Sequence, residues 1–159
     1  MREKSNIYFL AEIIKGYENG DCILLENIDS YGNITHALID TGRKINNNTF
    51  VVCDFLKKHN VKKLSFLCIT HIHDDHNGNT ISVLNEYKID LIIMKEFDNK
   101  WCSKDGNQYK YENIIEKAIE KDIKIFGVSF ESLGSEEYSP SQSDNFKNNI
   151  IKNAKKDNF

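Results

Sequence analysis

The apolar positions of this chain fall into short runs separated by polar, amphipathic stretches. Ile7-Tyr8-Phe9-Leu10-Ala11, Cys22-Ile23-Leu24-Leu25, Ala37-Leu38-Ile39, Leu64-Ser65-Phe66-Leu67-Cys68-Ile69, Leu91-Ile92-Ile93-Met94 and Ile123-Lys124-Ile125-Phe126 are the clearest of them. They predict strands over 7–14, 22–27, 34–40, 64–69, 90–94 and 123–128. Helices are predicted over 48–58, 80–87 and 110–121. In the last, Tyr111, Ile114, Ile115, Ala118 and Ile119 recur at the 3.6-residue period, with Glu and Lys on the other side, as in a helix packed on a core. Strands alternating with helices through the first hundred residues make the class α/β. After Val128 the pattern weakens: Ser129 to Asn145 is rich in Ser and Glu and holds the only proline, Pro140. The stretch 145–159 predicts a polar helix with Phe146, Ile150 and Ile151 on one side. The expected division is a folded part over 1–128 and a polar loop with a weak helix over 129–159, read as interrupted.

Composition narrows the class. A chain of 159 residues that is 40% hydrophobic can bury the core of one domain. The net charge of −3 leaves no basic footprint for nucleic acid. Abundant Lys, Asn and Ile read as an AT-rich coding bias. No run reaches the length of a membrane span. The stretch Ile7–Ala11 is short, is followed by Glu12 and lacks a small-residue cleavage site, so it reads as a strand rather than a signal peptide. The expected location is cytoplasmic. Cys22, Cys53 and Cys68 lie in apolar segments and read as reduced core thiols; Cys102 follows Trp101 in a polar loop, and nothing suggests a disulfide framework.

The chemistry concentrates in Thr70-His71-Ile72-His73-Asp74-Asp75-His76-Asn77-Gly78-Asn79, directly after the strand 64–69. The loop at the C-terminal end of a buried strand is where ligands collect in layered α/β folds. In extended backbone i and i+2 point the same way, so His71 and His73 can converge on one ion. Asp75 and His76 follow a change of backbone direction and can address a second position beside the first. Imidazole with carboxylate suits Zn²⁺, with Fe or Mn as alternatives, and the lack of cysteine argues for an open catalytic site over a closed structural one. Gly78 is expected to permit a tight turn, and Asn79 or Thr80 to cap the following helix. A loop of merely solvated imidazoles would explain one histidine better than three histidines and two carboxylates at this spacing.

This His-x-His-x-Asp-His loop, preceded by the strand Ala37-Leu38-Ile39-Asp40-Thr41-Gly42, resembles the metallo-β-lactamase fold superfamily of metal-dependent hydrolases. The segment Gly20-Asp21-Cys22-Ile23-Leu24-Leu25 most resembles the branch with the hydrolase-like domain of bacterial competence (DNA-uptake) proteins. The resemblance covers roughly residues 7 to 100. It implies that His71 and His73 hold a first zinc and that Asp75 and His76 hold a second, with Asp75 also catalytic. It implies that Asp40 braces the metal loop from behind, the alternative being a simple turn residue before Gly42. The implied fold is an αββα sandwich, truncated here to its N-terminal half over residues 1–128.

The family completes its site with a later His, a bridging Asp and a final His. The five histidines here are His36, His59, His71, His73 and His76. Asp122 or Asp144 as the bridge, and Cys102, Glu136 or Glu137 as substitute ligands, lack the expected context. The expectation is therefore a hydrolase that activates water at a dinuclear zinc site but is incomplete, and inactive, as residues 1–159. Its complete form would act on a small-molecule or phosphodiester substrate, without a membrane. The rival expectation is a non-catalytic or partner-completed module that keeps the metal loop and associates through an exposed sheet face. A barrel-type His-x-His hydrolase is disfavoured by length and by the Asp-Thr-Gly strand.

Overall fold

The computed structural model describes residues 2–10, 20–44, 50–70, 73–95 and 107–128. The chain order is β1 (Lys4–Phe9), β2 (Ile23–Ile28), β3 (Ile34–Ile39), α1 (Phe50–Lys58), β4 (Lys63–Leu64), β5 (Leu67–Ile69), α2 (Asp74–Asn77), α3 (Thr80–Glu86), β6 (Lys88–Ile89), β7 (Leu91–Lys95), α4 (Asn107–Glu120) and β8 (Lys124–Val128). A six-stranded sheet runs in the order β1-β2-β3-β5-β7-β8, and β4 pairs with β6 in a separate ribbon. β1, β2 and β3 are antiparallel neighbours, whereas β3, β5, β7 and β8 are parallel. The helices supply the crossovers that parallel pairing requires.

Register explains where the core lies. Tyr8, Leu24, Leu38, Leu67, Ile92 and Ile125 face one another across all six strands. This row packs into a single cluster with Val52, Phe55 and Leu56 of α1, Val83 and Leu84 of α3, and Ile114, Ile115 and Ala118 of α4. One residue along each strand, the row Phe9, Ile23, Ile39, Cys68, Ile93 and Phe126 lies on the opposite face, because side chains alternate across a strand. Its members are only partly buried or, for Phe9, exposed. Among the described residues, helices thus pack on one side of the sheet only, and the other side presents an apolar row about 24 Å wide.

The predicted elements reappear with local differences. The strand expected over 64–69 is broken at Ser65 and Phe66, because Leu64 belongs to the side ribbon while Leu67 enters the main sheet. β1 begins at Lys4 rather than residue 7, its first residues pairing with the polar end of β2; residues 11–14 of that expected strand lie outside the described residues. In α4 the stripe holds for Ile114, Ile115 and Ala118, but Ile119 is exposed, and the side chain of Tyr111 lies outside the described residues. So do Cys102 and the whole of 129–159. Cys22, Cys53 and Cys68 are free thiols. Among the described residues no helix is long and apolar enough to cross a membrane.

Candidate metal centre

The parallel pair β3 and β5 brings two strand ends together. Ile39 is opposite Cys68, so Asp40 and Thr70 emerge side by side, and the Asp40 amide donates to the Cys68 carbonyl at 2.7 Å. Asp40 is 1% exposed and holds a left-handed backbone with φ 55°, a conformation that Asp tolerates better than most residues. A carboxylate buried this deeply needs hydrogen-bond partners. Among the described residues the Thr70 amide donates to Oδ1 at 2.8 Å, the Thr70 hydroxyl to Oδ2 at 2.6 Å, and His76 Nδ1–H to Oδ2 at 2.8 Å. Its charge is felt by the surrounding thiols: Cys22 and Cys68 are pushed up, first by burial and then by Asp40.

His76 sits in α2, a single helical turn closed by the Asn77 amide on the His73 carbonyl and the Gly78 amide on the Asp74 carbonyl. With Nδ1 committed to Asp40, the other ring nitrogen, Nε2, lies 3.7 Å from Asp75 Oδ2. A carboxylate that fixes the tautomer and orientation of a histidine is the usual outer support of a metal ligand. Asp75 and His76 are both part-exposed, so an ion can reach them. On the near side of the ring, Asp21 Oδ2 lies 3.7 Å from Nδ1. Asp21, Asp40 and His76 each bring one ligand-type atom within 4.8 Å of the others. Of these, Asp40 and Nδ1 are already hydrogen-bonded to each other, so an ion among the three would have to displace the Nδ1 proton. Nε2 with Asp75 is the better-suited pair.

Around this group, three segments are pressed together. The Asp21 amide donates to the Asp75 carbonyl, the Gly42 amide to the Asp21 carbonyl, and the Thr41 amide to the His76 carbonyl at 2.6 Å. A side chain at Gly20 would place its Cβ 2.7 Å from the Asp75 carbonyl oxygen and 2.8 Å from the Arg43 amide nitrogen. At Gly78 the same atom would meet the Asp74 carbonyl oxygen at 2.5 Å and the Lys44 nitrogen at 2.7 Å. Both positions need glycine for space. Gly78 does lie in a turn at the end of α2, as expected, but its backbone is right-handed, φ −55°, so glycine is needed there for space and not for a positive φ.

A family model described as the metallo-beta-lactamase superfamily matches residues 16–141, which includes every one of these segments. The chain belongs to the metallo-β-lactamase superfamily. No curated protein matches the chain. Members of the superfamily usually bind metal ions, and the Asp21, Asp40 and His76 group is a place in this chain where one could be held.

Of the four residues of the superfamily loop expected as ligands, Asp75 and His76 are neighbours in space. His73 is exposed at the entry to α2, and His71 lies outside the described residues. Asp40 has the hydrogen bonds expected of a brace. Three other residues at the site were not expected there. Asp21 comes to the ring of His76 through the close approach that Gly20 permits. Thr41, 0% exposed, accepts the Asn79 amide on its hydroxyl oxygen, whose distances to the His76 carbonyl and to the Thr80 hydroxyl are 3.2 and 3.1 Å. Asn79, expected as a helix cap, makes no side-chain cap; its amide nitrogen reaches back to the carbonyls of Thr41, Gly42 and Arg43 at 2.9, 3.2 and 3.2 Å. The Asp-Thr-Gly and Gly-Asn pairs were visible in the sequence, but nothing in their spacing says that they meet.

Proposed function

We propose that this chain carries the metal-binding part of a hydrolase that activates water at a dinuclear, zinc-type site. The observation that carries the reading is the two-sided environment of His76, with Asp40 holding Nδ1 at 2.8 Å and Asp75 3.7 Å from Nε2. Asp75 and His76 would serve one ion, His71 and His73 a neighbouring one, and Asp75 would also orient the attacking water. When bound, a divalent cation would supply Lewis acidity there, polarising the scissile bond and lowering the pKa of bound water to about 7. Because the sequence has no histidine after His76, the remaining ligands are assigned to residues outside this stretch, in a second half of the sandwich. The substrate is a small molecule or a phosphodiester, the latter in keeping with the competence-type segment Gly20–Leu25. Free thiols at Cys22, Cys53 and Cys68 support a reducing, cytoplasmic setting.

A second reading, a partner-completed module without turnover of its own, is favoured by the half-exposed row Phe9, Ile23, Ile39, Cys68, Ile93 and Phe126. An apolar row of this width suits a second β layer, and sheets pack face to face at about 10 Å.

Calorimetric Zn²⁺ titration of residues 1–159 separates these ideas. Weak binding lost in His76→Ala is expected, because each half-site has two protein ligands where a catalytic zinc usually has three. Tight binding of two ions that survives His71→Ala would overturn the ligand assignment. Assays on phosphodiester, thioester and lactam substrates, with and without an added second half, test turnover. Metal-dependent activity of residues 1–159 alone, lost in Asp75→Ala, would overturn the incomplete-site reading.

A further inference from the structure

We infer that Thr41 and Asn79 are positioning residues that set where and how His76 is presented to a metal, without themselves touching one. The inference rests on the proposed metal reading for its consequence and on hydrogen-bond geometry for its content. His76 is held from two adjacent residues at once: its imidazole by Asp40 and its backbone carbonyl by Thr41, whose amide lies at 2.6 Å. One attachment would leave the side chain free to pivot. Two attachments to consecutive residues fix both the position of the backbone and the rotation of the ring.

That arrangement works only if residues 41–43 keep a fixed place against the loop, and Asn79 holds them there. Its two amide hydrogens are shared among the carbonyls of Thr41, Gly42 and Arg43. Three acceptors on one side assign the nitrogen to that side, since a flipped amide would set oxygen against oxygen. The Asn79 backbone amide meanwhile donates to the Thr41 hydroxyl oxygen at 3.2 Å, so the two residues lock each other. Both are buried, at 0% and 1% exposure. Asn79 Oδ1 is buried with no hydrogen-bond partner among the described residues. What the asparagine supplies at this place is the three-carbonyl grip of its side-chain nitrogen.

The test uses the full 159-residue chain with Thr41→Val, which keeps shape and removes the hydroxyl, Thr41→Ser, which restores it, and Asn79→Ala. Ile92→Val serves as a destabilised control in the core row remote from the loop. In the metal-free protein, ¹H–¹⁵N imidazole correlations report which ring nitrogen of His76 carries the proton. In the loaded protein, Co²⁺ titration gives affinity and the visible spectrum gives coordination geometry. The expected wild-type form is the Nδ1–H tautomer. Thr41→Val and Asn79→Ala are expected to mix in the Nε2–H form, weaken Co²⁺ by about tenfold to hundredfold, as loss of outer support does elsewhere, and alter the spectrum. Thr41→Ser should stay near wild type, and Ile92→Val should lower Tm with tautomer and Co²⁺ binding unchanged. If Thr41→Val and Asn79→Ala lower Tm while tautomer, affinity and spectrum stay as in wild type, the positioning role is overturned. If wild type binds no Co²⁺, the metal reading fails and the tautomer comparison alone decides the positioning role. Should Asn79→Ala not fold, the Thr41 pair carries the test.

Discussion

His76 Nδ1 donates to Asp40 Oδ2 at 2.8 Å, joining the end of one strand to a residue 36 positions later in the loop of another. The bond matters because it places the ring proton on Nδ1 and turns Nε2 toward Asp75 Oδ2, 3.7 Å away. It forms because β3 and β5 are parallel neighbours, so that their C-terminal ends, and the loops that leave them, share one side of the sheet.

Replacing this carboxylate separates its two contributions. Asp40→Asn keeps the shape and tolerates the left-handed backbone, so the protein should fold while metal binding weakens by about tenfold to hundredfold. Asp40→Ala strands the Thr70 and His76 donors at a cost of about 1–3 kcal/mol and adds about 1 kcal/mol for alanine at positive φ. Denaturant unfolding alongside Co²⁺ titration measures both. Equal metal affinity in wild type and Asp40→Asn would remove the brace.

Gly78→Ala should cost about 1–3 kcal/mol or more, since the new methyl meets main-chain atoms that cannot yield without moving the loop. Its backbone is already right-handed, so space alone is tested. Gly32→Ala is the counterpart: φ is +88° but nothing lies within 4 Å of the added atom, and only conformational strain of about 1 kcal/mol is expected. Urea midpoints of the two variants compare them; a Gly78→Ala protein as stable as wild type would refute the packed-loop geometry.

The two faces of the sheet predict different costs for adjacent residues. Ile92→Ala, at 0% exposure, should lose about 2–5 kcal/mol, whereas Ile93→Ala, half-buried in the opposite row, should lose less than about 2 kcal/mol. Comparable losses in thermal unfolding would mean that both faces are covered in solution.

Glu26 predicts an acid limb in stability away from the metal loop. Hydrogen bonds from Asn6 Nδ2 at 2.7 Å, from His36 and from Tyr8 hold its carboxyl below the ordinary value of 4.5. A carboxyl whose pKa is depressed on folding stabilises fully above that ordinary value, and the contribution is lost as pH falls through the folded-state pKa. Unfolding free energy should therefore decline as pH is taken from 5 to about 3, and Glu26→Gln should flatten that decline. An unchanged pH profile in the variant would show that other carboxyls carry it.

Much of the site was legible from residue type. Three imidazoles and two carboxylates at short spacing after an apolar strand were read as metal chemistry from their residue types; of that set the structure brings His76 and Asp75 beside each other, with Asp40 and Asp21 at the same ring. The brace was half legible: Asp40 read equally as a support or as a turn residue, and only its hydrogen bonds with Thr70 and His76 separate the two. Gly78 and Asn79 were read in part: Gly78 lies in a turn but without a positive φ, and Asn79 takes the N-cap position of α3 without a side-chain cap. Local spacing cannot show that residues 41–44 press against them from 35 positions earlier.

The sequence by itself determined the periodicities, hence the strands, the helices and the α/β class, and it determined the donor set of the loop, since these depend on neighbours in the chain. Tertiary structure alone decided which row of each strand is sealed by helices, that Leu64 leaves the main sheet, that Asp21 comes to the ring of His76, and that Thr41 and Asn79 grip each other. Those outcomes depend on strand register and on contacts between distant segments, where a shift of one residue exchanges the two faces of a strand and carries every side chain to a different environment.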